Sequence, residues 1–83
     1  MERSLYGTAL LDEGREIRYY FLTDQARQQE ESCGVLVEFG GEEAAIMDLS
    51  PSRRRVRSLL GRMSRGTVTP VALRDVVDDW LLE

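Results

Sequence analysis

Apolar and polar residues alternate along the first half of the chain and then recur at intervals of three and four, so the sequence reads as strands followed by helices. Leu5 to Leu11 and Arg15 to Thr23 are rich in tyrosine, phenylalanine, isoleucine and threonine, and Asp12-Glu13-Gly14 between them predicts a hairpin. Glycine at the last loop position adopts left-handed backbone without a steric penalty. Such a turn pairs Leu11 with Arg15, and hence Ala9 with Ile17, Gly7 with Tyr19 and Leu5 with Phe21. Gly40-Gly41, between Cys33 to Phe39 and Glu42 to Leu49, supplies both positive φ values of a two-residue hairpin turn. Its register sets Val37 against Ala44, Val35 against Ile46 and Cys33 against Asp48 on one face. Leu36 with Ala45 and Gly34 with Met47 then occupy the other.

The segment from Asp24 to Glu31 is polar at nearly every position and reads as an exposed connection holding at most one helical turn, capped by Thr23 or Asp24. Ser50-Pro51 predicts a helix start, because serine caps and proline is tolerated where its missing N–H has no partner. Val56, Leu59, Leu60 and Met63 then share one helical face, and Gly66 predicts the stop. Thr69-Pro70 repeats the start signal, and Leu73, Val76, Val77, Trp80 and Leu81 form a second stripe. The expected fold is α+β, a four-stranded antiparallel sheet of two hairpins followed by two amphipathic helices, ββββαα. A meander is the default strand order, with closure toward a partial barrel as the alternative.

Length and charge narrow this picture. A chain of 83 residues supports one core, so residues 1–83 are expected to form a single domain, and 42% hydrophobic residues suffice to build it. With Cys33 the lone cysteine and no histidine, neither a disulfide within the chain nor a nitrogen and thiolate zinc site is expected. The N-terminus shows no apolar run of signal-peptide length, and no segment is apolar enough to span a membrane, so a cytoplasmic location is expected. The formal charge of −4 hides an uneven distribution: Arg53 to Arg65 carries six arginines and no acid.

Asp48-Leu49-Ser50 leading into the first helix, and Thr69-Pro70-Val71-Ala72-Leu73-Arg74-Asp75-Val76-Val77-Asp78-Asp79-Trp80-Leu81 after it, resemble a family of short clostridial, Gram-positive proteins of unknown function. The likeness runs from about Tyr20 to the C-terminus. Its motifs are a capped helix entry and an amphipathic helix, so the resemblance implies domain limits and no catalytic, cofactor-binding or metal-binding residue.

Enzyme chemistry is not expected. The commonest acid-base side chain is missing, the carboxylates isolate no pair, and Cys33 lies on an inward face with no histidine to activate it. Asp75, Asp78 and Asp79 are better explained as the solvated side of an amphipathic helix than as ligands for a hard cation. No glycine-rich loop runs from a strand into a helix, so no phosphate cradle or cofactor site is expected either.

Two surfaces remain as candidate binding sites. Arg53, Arg54, Arg55, Arg57, Arg62 and Arg65 offer guanidinium groups suited to carboxylates or phosphates, although a solvated face paired with Asp75, Asp78 and Glu42 or Glu43 accounts for them at least as well. The register also collects Tyr6, Thr8, Leu10, Arg18, Tyr20, Leu22, Leu36, Ala45, Met47 and Leu49 on the second sheet face. Each buried leucine, methionine or aromatic side chain there is worth roughly 1.5–3 kcal/mol, so either one helix crosses to that face or a partner covers it. A Tyr6 and Tyr20 pair beside Arg18 would stack bases or stabilise the sheet, the second being the commoner use. The functional expectation is a non-enzymatic interaction module whose partner is an unknown protein or a second copy, docking through Tyr6, Leu10, Arg18, Tyr20, Leu36 and Met47, with the arginines selecting an acidic partner. The alternative is nucleic-acid binding through the helix from Arg53 to Arg65.

Overall fold

The computed structural model describes residues 1–11, 14–25 and 31–83. Through them run β1 (Glu2–Leu10), β2 (Glu16–Gln25), β3 (Glu31–Phe39), β4 (Glu42–Ser50), α1 (Arg53–Arg65), a 3-10 turn over Pro70–Ala72 and α2 (Leu73–Leu81). The strands make one antiparallel sheet in the order β1-β2-β3-β4, the expected meander. Gly40 and Gly41, at φ 60° and 83°, close the second hairpin as their sequence requires, and Gly14 at φ 75° ends the first loop. The connection expected over Asp24 to Glu31 is shorter than that: Thr23, Asp24 and Gln25 pair with Cys33, Ser32 and Glu31, so neither Thr23 nor Asp24 caps a helical turn. Asp12, Glu13 and residues 26–30 lie outside the described residues.

Both registers hold near the turns and slip farther away. Ala9 faces Ile17 and Gly7 faces Tyr19, but the β1 and β2 pairing shifts between Leu5 and Gly7, so Leu5 faces Tyr20 instead of Phe21. Tyr6 is the extra residue of this bulge. In the second hairpin Val37 faces Ala44, Leu36 faces Ala45 and Val35 faces Ile46, after which Cys33 faces Ser50 instead of Asp48. Over that step β3 advances by Gly34 alone while β4 passes Met47, Asp48 and Leu49, and Asp48 absorbs the excess at φ 59°. The Ser32 hydroxyl bonds to the Asp48 carboxylate beside it.

This slip also moves the helix start. Ser50 is still paired in the sheet and does not cap α1, although its Oγ accepts from the Ser52 N–H at 3.1 Å. Ser52 is the N-cap, its Oγ accepting from the Arg55 N–H at 3.3 Å, and Pro51 stands outside the helix. Gly66 ends α1 as expected but with φ −89°, while the following Thr67 takes the positive φ, 49°. Thr69-Pro70 opens the 3-10 turn that leads into α2.

Both helices lie on one face of the sheet. Val56, Leu59, Leu60 and Met63 of α1 and Leu73, Val77 and Trp80 of α2 join Ile17, Tyr19, Phe21, Cys33, Val35 and Val37 in one buried cluster. Tyr19 ties the sheet to the segment between the helices: fully buried, it donates its hydroxyl to the Val68 carbonyl at 2.8 Å. Burial pushes its pKa up to about 12. An unfolded tyrosine releases its proton above about pH 10 while the folded one holds it to about 12, so stability is lost as pH rises through that window, by up to about 2–3 kcal/mol. Tyr19→Phe is expected to lose about 1–2 kcal/mol near neutral pH and to show a smaller further loss between about pH 9 and pH 11 than the wild type, measured by urea titration.

Candidate functional site

The second sheet face carries neither helix, and the registers lay it out in three rows. Arg3, Leu22, Gly34 and Met47 lie at one end, Leu5, Tyr20, Leu36 and Ala45 in the middle, and Thr8, Arg18, Glu38 and Glu43 at the other. The sequence places most of these residues correctly. Two are exceptions. Past the slip in β4, Leu49 packs against the helix-side core, and the bulge in β1 turns Tyr6 to the helix side, where a Cβ on Gly61 of α1 would lie 3.1 Å from its hydroxyl oxygen. The Tyr6 and Tyr20 pair therefore does not exist, and with it goes a base-stacking platform.

The middle of this face is not bare. Leu22 is fully buried and Leu36 is 3% exposed within the single chain, so Leu36 offers no surface to a partner, contrary to expectation. Sheet coiling explains it. A flat sheet would hold Arg3 of β1 and Glu43 of β4, at diagonal corners, roughly 20 Å apart. Instead Arg3 Nη1 meets Glu43 Oε2 at 3.1 Å, and its guanidinium passes 5.1 Å from the centre of the Tyr20 ring. A twisted sheet is saddle-shaped, hollow along one diagonal on each face. The helices fill one hollow, and the strap from Arg3 over Tyr20 to Glu43 crosses the other above Leu36.

Charged neighbours complete the cover. Arg18 bonds Glu16 at 2.9 Å and approaches Glu38 at 3.8 Å; its pKa is raised, chiefly by the hydrogen bond with Glu16. Met47, half-buried, folds its sulfur against Gly34: a Cβ there would lie 2.8 Å from Met47 Cα and 2.9 Å from its Sδ.

The large apolar side chains that this face leaves in water lie on its edge strand. Leu5 is 57% and Leu10 67% exposed, both on β1, whose far side has no neighbouring strand among the described residues. From Ser4 to Leu11 there is neither a charge nor a proline, the usual guards of an open edge. The opposite edge, β4, is guarded by Glu42, Glu43, Asp48 and its bulge. The pairing expected from the first turn, Leu5 against Phe21, puts Leu5 on the opposite face, so the sequence does not mark it as a candidate.

The arginines of α1 are largely engaged within the chain. Arg53 forms a two-pronged pair with Glu31, which holds that carboxyl below its usual range, and Arg62 Nη1 meets Glu83 Oε2 at 2.6 Å. Arg55 lies 5.0 Å from the centre of the Trp80 ring, and Arg57 and Arg53 lie 5.8 and 5.9 Å from that of Phe21. Their acids are thus Glu31 and Glu83, not the expected Asp75, Asp78, Glu42 or Glu43. Among the described residues Arg54 and Arg65 make no ion pair.

With this geometry in place, the family of unknown function DUF6514 matches the chain over residues 5–83. The chain belongs to DUF6514. No curated protein and no solved structure matches it. The DUF6514 match takes in β1 from Leu5 onward, starting earlier than the Tyr20 limit drawn from the sequence. Within this DUF6514 chain the remaining chemistry is sparse. Cys33 is buried and burial raises its thiol pKa, which keeps it protonated. No cluster of potential metal ligands occurs among the described residues, and no described helix is long and apolar enough to cross a membrane. A cleft of about 180 Å³ between α1 and α2, lined by Leu59, Arg62, Val76, Asp79, Trp80 and Glu83, is partly closed by the Arg62 and Glu83 pair.

Proposed function

We propose that the protein is a non-enzymatic, cytoplasmic interaction module that receives a partner strand on the open edge of β1. One observation carries the reading. The large apolar side chains of β2 to β4 on the outer face are buried or half-buried within the chain, whereas Leu5 and Leu10 stand in water on an edge that from Ser4 to Leu11 has neither charge nor proline to repel a strand. Strand addition uses both features, since backbone groups pair along the edge and alternate side chains supply apolar contact. The arginines contribute less than their number suggests, because Arg53, Arg55, Arg57 and Arg62 are paired or stacked within the chain. That engagement weighs against nucleic-acid binding through α1.

A photo-crosslinking residue placed at position 10 in the native host is expected to capture protein, while the same group at Val71, which is 85% exposed but distant from β1 in sequence, gives only background. Equal yields at the two positions would remove strand addition as the function.

A further inference from the structure

Resting on that reading, we infer that the strand added to β1 is β1 of a second copy, paired antiparallel about a two-fold axis through Thr8. The reason is a pattern that reads the same in both directions. Leu5, Thr8 and Leu10 face outward, and Ala9 faces the helices opposite Ile17. The bulge places Tyr6 and Gly7 together between Leu5 and Thr8, so the strand runs out, in, out, in, out despite its extra residue. An axis at Thr8 therefore sets Leu5 against Leu10 of the second copy and Leu10 against its Leu5, with the bulge opposite Ala9. Both large exposed apolar residues on the strand's outer face are covered in this register. A slip by one residue would set outward side chains against inward ones.

Only the β1 edge admits this, because pairing β4 with itself would bring Glu42, Glu43 and Asp48 of two chains together. Tyr6 also fixes where α1 lies, with its Gly61 to Arg65 end over β1. The axis thus brings two arginine-bearing helix ends to the same side of the joined sheet, where they repel. Salt should strengthen this dimer, opposite to an association that pairs arginines with acids. Nine residues rising about 3.3 Å each offer only a narrow strip, so the dimer belongs among small, reversible interfaces.

Sedimentation equilibrium up to about 1 mM protein is expected to show a monomer–dimer equilibrium that shifts toward dimer with added salt. Leu5→Lys alone and Leu10→Glu alone should each weaken it at least tenfold. The double variant, which sets Lys against Glu twice across the axis, should recover most of the loss. A monomer at about 1 mM, or a double variant no better than either single one, overturns self-pairing in this register. Crosslinks from position 10 to other proteins but never to a second copy would also overturn it while leaving strand addition intact. Absence of any specific crosslink would remove both.

Discussion

Gly34→Ala is expected to lower the stability of the fold by about 3 kcal/mol or more, enough to leave much of a small domain unfolded at physiological temperature. The loss follows from geometry that side-chain repacking cannot relieve. A Cβ at position 34 would lie 2.8 Å from Met47 Cα and closer still to the Ile46 carbonyl oxygen, both backbone atoms of β4. Those atoms are close because β4 carries Met47, Asp48 and Leu49 across a step that β3 covers with Gly34 alone. Urea titration of the variant against wild type measures the effect. Gly7→Ala is the control, since a Cβ there meets nothing within 4 Å and its change should stay within about 0.5 kcal/mol. A stable Gly34→Ala protein would mean that β4 pairs in the simple register with Cys33 against Asp48.

That step marks where the sequence stops being sufficient. Near Gly40-Gly41 the turn dictates the register, and Val37, Leu36 and Val35 find the partners their distance from the turn assigns. Counting fails only past Ile46, and the sole local sign is an aspartate, a residue that tolerates left-handed backbone better than most. Gly7 likewise hints at the bulge in β1 but does not say which neighbour is extra. The helical stripes are plainer: Val56, Leu59, Leu60 and Met63 are buried as their spacing demands. Ion pairs were the least legible part of the candidate site. Arg53 finds Glu31 and Arg62 finds Glu83, more than twenty residues away in each case, and only the assembled sheet and helices bring them together.

The outer face itself was legible as a set of residues but not as a shape, and Leu36→Ala separates the two. Register assigns Leu36 to the face without helices, and on a flat sheet it would stand in water, where truncation costs little. In the coiled sheet it is 3% exposed beneath the strap from Arg3 to Glu43, so the substitution should cost the isolated monomer about 2–4 kcal/mol. Leu5→Ala, on the same face but 57% exposed, should change monomer stability by no more than about 0.5 kcal/mol. Both are read from urea titrations at low micromolar protein, where self-association is negligible. If Leu36→Ala proved as mild as Leu5→Ala, the hollow would be open, and the contact surface would belong at the centre of the sheet and not at its edge.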